Sequence, residues 1–172
     1  KINLSTTVFN HKFSAPLIVT SMTGGVSQAT EINTAIAGAV EELGLGMGVG
    51  SQRAAIEDPV LKQTFTVARK EAPTAFLIAN LGGPQLAKEY SVKEAKKAVE
   101  MLQADALAIH LNPLQEAVQP EGETSYAGLL TKLKQIIRAL DVPVIIKETG
   151  AGIAAEDAKK LEAVGTAGID IA

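Results

Sequence analysis

Six short, almost continuously apolar runs punctuate the chain: Ala15–Met22, Leu45–Ser51, Ala75–Gly82, Ala106–Asn112, Val142–Gly150 and Gly168–Ala172. Each is too short and too evenly apolar for an amphipathic helix, and predicts a strand buried on both faces. The segments between them have helical period. Ile32, Ile36, Ala39, Val40 and Leu43 fall on one face, and Leu129, Leu130, Leu133, Ile136 and Ile137 on another. Asp58 before Pro59 reads as an N-cap with proline at the first helical position. Ser91 with Glu94 is a capping box. The stretch from Ala155 to Val164 ends at Gly165, a C-cap residue.

Strands alternating with helices at a spacing of about 30 residues imply βαβ units and a parallel sheet. A Rossmann fold and a (β/α)8 barrel share this pattern. The barrel is favoured because no GxGxxG follows the first strand, and because polar residues cluster at the C-terminal end of nearly every strand. Against a typical barrel of about 250 residues, six strands are an incomplete portion, six of eight. The alternating segment 1–14, with Asn10 near a turn, predicts a lead-in hairpin on the barrel's N-terminal side, and 15–172 the first part of the barrel. The chain begins at Lys1 and stops at Ala172 within an apolar run, so it is expected to be part of a longer one.

Composition narrows the chemistry. Aromatics are only 3% of residues, so the core must be built from Ile, Leu, Val and Ala. A net charge of −3 argues against a general nucleic-acid surface, so an anionic ligand would have to meet local cations, helix N-termini or a metal. There is no cysteine, hence no disulfide framework and no thiolate metal site. No run approaches the roughly 20 apolar residues of a membrane span, and no signal peptide is visible. A cytoplasmic protein with no membrane partner is the expectation.

In a barrel, chemistry belongs to the C-terminal strand ends. The first strand ends in Ser21, Met22 and Thr23, followed by Gly24 and Gly25. In the second, Gly44, Gly46, Gly48 and Gly50 alternate, leaving one face without side chains. Either that face packs closely on a helix or it clears space for a large planar ligand. Ser51, Gln52 and Arg53 follow, and a guanidinium suits phosphate oxygens. Asn80 ends the third strand, where it is a positioned amide or simply a turn residue.

The fourth strand runs into HLNPLQE, which places His110, Asn112, Gln115 and Glu116 within seven residues. His110 and Asn112 share a face by alternation. Glu116 is suited to Mg²⁺, which binds through one or two carboxylates plus ligand phosphates; its plainer reading is a solvated loop acid. The fifth strand ends in Lys147. An ammonium at the end of a core strand calls for a partner, which can be Glu148, a ligand anion or an electron-rich ring. Lys147 also suits a Schiff-base role.

SMTGG, GVGSQR, ANLGG, HLNPLQE and IIKETG, in this order and spacing, resemble the type 2 isopentenyl-diphosphate isomerases, the flavin-dependent form, over essentially the whole chain. The resemblance implies an FMN-binding (β/α)8 barrel that interconverts isopentenyl and dimethylallyl diphosphate in isoprenoid biosynthesis. It implies flavin contacts from Ser21, Met22, Thr23, Ser51, Asn80 and Lys147, and diphosphate contacts from Ser51, Gln52, Arg53, His110 and Asn112. Gln115 would lie near the reacting carbons and Glu116 would hold Mg²⁺, with Gln115 and Lys147 in the catalytic roles. NADPH would reduce the flavin without being consumed stoichiometrically, and a tetramer or octamer is the usual assembly. An Arg-Lys pair before Lys1, and a Gly-Thr-rich segment with two further strands after Ala172, belong to the family pattern. Three rivals differ in kind: an FMN oxidoreductase of the 2-hydroxy-acid oxidase type, a Schiff-base aldolase, and a non-catalytic barrel fragment.

Overall fold

The structure, a computed structural model, describes residues 2–171; Lys1 and Ala172, which bound the two predicted segments, lie outside them. Strands β1 (Thr6–Val8) and β2 (His11–Phe13) pair antiparallel, with Val8 opposite His11. Phe9 and Asn10 between them have φ of 51° and 62°, the left-handed pair a two-residue hairpin turn requires. The chain continues through β3 (Ile18–Val19), α1 (Gln28–Leu43), β4 (Gly46–Gly48), α2 (Arg53–Glu57) and a 3-10 turn (Pro59–Lys62). Next come α3 (Gln63–Glu71), β5 (Phe76–Gly82), α4 (Gly83–Lys88), α5 (Val92–Leu102) and β6 (Ala106–His110). The last elements are α6 (Pro113–Val118), α7 (Leu129–Ala139), β7 (Val144–Lys147), α8 (Ala155–Ala163) and β8 (Gly168–Asp170).

Strands β3 to β8 form one all-parallel sheet in strict sequence order. A doubly wound sheet would reverse its strand order at a switch point; this one does not. Its two edge strands, β3 and β8, line the same cavity, so the sheet is curled. It supplies six of the eight strands of a (β/α)8 barrel, as the run spacing predicts.

Alternation along the strands divides the apolar residues into two layers. Leu77, Leu81, Leu107, Ile109, Val144 and Ile146 point outward into the sheet–helix core. Phe76, Ile78, Ala106 and Ala108 point inward and pack with Phe13 of the hairpin, with Phe9 and Ile145 partly buried against them. Three of the four phenylalanines are here. Phe76 meets Phe9, His11 and Phe13 at centroid distances of 6.2, 5.4 and 5.4 Å. The hairpin therefore stoppers the N-terminal end of the curled sheet and leaves the C-terminal end open.

The alternating glycines do not pack on a helix, and of them only Gly48 borders open space, in a cavity it lines with Ser21. Side chains at Gly46 and Gly48 would run into Phe13 and Ser21, and one at Gly50 would meet the Thr23 backbone at 2.7–3.0 Å. The bare face lets the hairpin and the end of β3 close onto β4. Gly44, at φ 64°, ends α1 in the left-handed conformation.

Ser91 and Glu94 form the full capping box of α5. Asp58 caps the 3-10 turn by accepting from Val60 N–H at 3.0 Å. In α7 the buried residues are Leu129, Leu133 and Ile136, whereas Leu130 is exposed. The face predicted for α1 is largely wrong: Ile32 and Leu43 are exposed, and the buried residues are Ala29, Asn33, Ala37 and Val40. Small residues let α1 lie close to its neighbours, with one polar residue among them; apolarity alone pointed to the larger side chains.

Candidate functional site

The open rim is built by strand register. Gly82, His110, Lys147 and Asp170 are successive partners across β5 to β8, so their inward positions stand in one row. Below this row a cavity of about 480 Å³ has Ile78, Ala108 and Ile145 among its walls, with Ser21, Lys147 and Asp170 at its polar end.

His110 is the most constrained side chain of the row. Its Nδ1 lies 2.9 Å from Asn80 Oδ1. The Asn80 amide is oriented by its Nδ2, which donates to the Val49 carbonyl at 3.1 Å. Oδ1 therefore accepts, Nδ1 carries the proton, and Nε2 is the nitrogen left for a ligand. Burial pushes the imidazole down to about 4; the Lys147 ammonium and Arg53 act in the same direction and Glu116 against them. His110 is thus neutral at neutral pH and sits in the field of two cations.

Lys147 donates to the Glu148 backbone carbonyl at 2.6 Å. The Glu148 carboxylate is engaged elsewhere. Although buried, it accepts from the N–H groups of Gly150, Ala151 and Gly152 at 2.7, 2.6 and 3.2 Å. Burial opposes its charge, but these donors outweigh burial and hold the carboxyl below its usual range. Glu148 thus shapes the loop after β7 and leaves the Lys147 charge directed to the rim.

Arg53 opens α2, its side chain half exposed and 4.0 Å from Glu57. Ser51 is partly buried just before it. Gln52, expected to touch substrate, has a fully buried side chain. Its Oε1 accepts from Asn80 N–H at 3.0 Å and its Nε2 donates to the Ala98 carbonyl at 2.9 Å. It faces the helix layer beneath the rim and is not available to a ligand.

After β6, Asn112 is buried and donates through Nδ2 to Glu116 Oε1 at 2.8 Å, so it too faces a protein partner. Gln115 is exposed and Glu116 partly buried on α6. On the β3 side Ser21 and Thr23 are partly buried, while Met22 is largely exposed. Gly24 and Gly25 abut protein: side chains there would run into Phe65 and Ala54.

Residues outside the sequence motifs hold these segments. Asn33, 1% exposed, donates Nδ2 to the carbonyls of Thr23 and Thr64 at 3.3 and 2.8 Å. Thr64 Oγ1 accepts from Gly25 N–H at 3.0 Å. A polar residue within the small-residue stripe of α1 was the available signal. Tyr126, which bonds Asn112, carried none. Asn33→Ala is expected to cost about 1–3 kcal/mol in urea unfolding, since it removes two buried hydrogen bonds.

Among the described residues no group of three or more His, Cys, Asp or Glu side chains is placed to hold a metal ion, and no helix is long and apolar enough to cross a membrane.

No family model matches the chain. It is 58% identical over 164 residues to an isopentenyl-diphosphate delta-isomerase of Ignicoccus hospitalis, covering 95% of this chain and 46% of that protein. To proteins of the same name it is 55% identical in Aeropyrum pernix, over 94% of this chain and 43% of the relative, and 47% identical in Methanothermobacter thermautotrophicus, over 100% and 48%. A lactate oxidase of Pediococcus acidilactici superposes with a TM-score of 0.70 at 16% identity, over 98% of this chain and 50% of that one. An aldolase, QR15, gives 0.60 at 16% identity, over 91% and 68%. At such identities the structural likeness shows a shared barrel fold. In sequence, the chain is similar to isopentenyl-diphosphate delta-isomerases and spans about half the length of the curated relatives it matches.

Proposed function

We propose that the protein to which this chain belongs is an isopentenyl-diphosphate delta-isomerase of the flavin-dependent type, and that the open rim is its substrate face. The observation that carries the reading is the 47–58% identity to isopentenyl-diphosphate delta-isomerases; at the rim, strand register sets Lys147 beside His110, and Arg53 and Glu116 are near enough to act on the same imidazole. The ammonium and the guanidinium suit a diphosphate, and His110, whose free Nε2 is an acceptor while the ring is neutral, can donate to a phosphate oxygen once the bound anion draws a proton onto it. The Glu116 carboxylate suits the Mg²⁺ such a ligand carries, because Mg²⁺ takes few protein ligands and fills its shell from phosphate and water. Glu116 fits that role: each carboxylate oxygen accepts one hydrogen bond and retains lone-pair capacity.

FMN would be held at the polar end of the apolar cavity, where Ser21 and Lys147 line it, with Thr23 following Ser21 in the chain and Asn80 bonded to His110 at the rim. A bound reduced flavin would supply the acid–base chemistry of an allylic proton shift. Its reductant would be NADPH. Within the chain, Arg53, Ser51 and His110 bind the diphosphate, Gln115 faces the alkene, and Lys147 stabilises negative charge at the rim. Gln52 and Asn112 serve through their neighbours.

The test is to incubate the full-length protein anaerobically with FMN, Mg²⁺, NADPH and isopentenyl diphosphate and to assay dimethylallyl diphosphate. Product is expected at far less than one NADPH per turnover, and Glu116→Gln should lower kcat/KM by about 100-fold or more. Bound, reducible flavin with no product would reject the isomerase and favour an oxidase.

A further inference from the structure

The loop between α6 and α7 makes a set of contacts with one target. Glu123 donates its backbone N–H to Glu116 Oε2 at 2.7 Å, and Asn112 Nδ2 donates to Oε1 at 2.8 Å. Asn112 is itself fixed from the loop. Its N–H donates to the Tyr126 hydroxyl oxygen at 3.3 Å, and that hydroxyl donates to Asn112 Oδ1 at 3.4 Å. The loop lies so close to α6 that a Cβ at Gly122 would overlap the Glu116 carbonyl oxygen. On its outer side it is tied to α4 by the Lys88–Glu123 ion pair at 3.1 Å. A solvated acid gains nothing from being fixed, and ordering a glutamate side chain costs up to about 2 kcal/mol. Fixing is useful where the carboxylate must meet a small cation with strict octahedral geometry.

We propose that residues 119–126 are a positioning clip: Tyr126 acting through Asn112, together with the Gly122–Glu123 backbone, aims the Glu116 carboxylate at the divalent cation that accompanies a diphosphate ligand. The inference rests on the reading of Glu116 as the ligand of that cation. Tyr126 is a positioning residue in this arrangement, one bond removed from the carboxylate it orients. Partners of this kind typically change metal affinity by about 10–100-fold when removed.

The experiment is calorimetric titration of the full-length protein with inorganic pyrophosphate, with and without Mg²⁺, the ratio of the two Kd values being the readout. Tyr126→Phe keeps the ring and removes only the hydroxyl. It is expected to reduce the Mg²⁺ advantage about tenfold, with pyrophosphate binding in the absence of Mg²⁺ close to wild type and a lowered melting temperature, because the buried Asn112 N–H loses its acceptor. Gly122→Ala is expected to act in the same direction. An unchanged Mg²⁺ advantage in both variants, alongside its loss in Glu116→Gln, would overturn the clip and leave Glu116 as the cation's ligand. An advantage absent from the wild type, or one that survives Glu116→Gln, would overturn that reading and the clip with it.

Discussion

Between pH 8 and pH 5 the unliganded protein is expected to lose about 2 kcal/mol of stability to His110 alone. Unfolded, this imidazole titrates near 6.5; folded, burial and the neighbouring Lys147 push it down to about 4. Between those values the unfolded chain binds a proton that the folded chain refuses, so stability rises with pH across the window and is lost as pH falls from about 6.5 towards 4. The full difference, reached below the folded value, is about 3 kcal/mol. Glu148 acts in the same direction but lower. Its folded carboxyl is held below the ordinary value, so its contribution is present above the unfolded pKa and is lost only as pH falls through the folded one. Urea unfolding at pH 8, 6.5 and 5 separates the two, and His110→Gln should flatten the upper part of the profile. An unchanged slope in that variant would show that the imidazole charges freely in the folded state. If the rim receives a diphosphate, the ligand's charge opposes the depression, and pyrophosphate binding at pH 6 should take up a proton. That uptake is readable as a buffer-dependent enthalpy.

The sequence carried the strand order because six short apolar runs separated by helical periods leave little else for a parallel sheet to be. It carried the helix starts because Ser91 with Glu94 and Asp58 with Pro59 are local devices whose geometry needs no distant partner. What it did not carry depends on neighbours remote in sequence. The buried face of α1 is set by the close approach of α3 and by the Asn33 bonds to Thr23 and Thr64, so small residues turn inward where larger ones were expected. The glycines of β4 read as a helix contact or a space, and only the hairpin and the end of β3, brought back by the fold, show what lies against them. Within HLNPLQE, strand alternation placed His110 on the rim, but the side-chain direction of Asn112 was settled by α6 and by Tyr126, 14 residues away.

Gln52 shows the same limit most sharply, and replacing it with leucine is expected to cost about 2–4 kcal/mol of stability in the absence of any ligand. Strand β4 ends at Gly48, yet its pairing with β5 continues. Val49 N–H donates to the Ile78 carbonyl at 3.1 Å and Gln52 N–H to the Asn80 carbonyl at 2.9 Å. The return bond, from Asn80 N–H, goes to Gln52 Oε1 at 3.0 Å, so a side chain completes the ladder where the backbone has turned away. The other end of the amide donates to Ala98 of α5 and so ties the helix layer to the strand whose Asn80 orients His110. Leucine fills a similar volume, but it leaves the buried Asn80 N–H without an acceptor. Gln52→Glu sets an acceptor against the Ala98 carbonyl and should be at least as damaging. A surface glutamine that merely touched substrate would change unfolding by no more than about 0.5 kcal/mol, so urea unfolding of the unliganded variants separates the roles. Wild-type stability in Gln52→Leu together with weakened pyrophosphate binding would return this residue to the substrate; lost stability in both variants would place it beneath the site, as the support on which Asn80 and His110 are held.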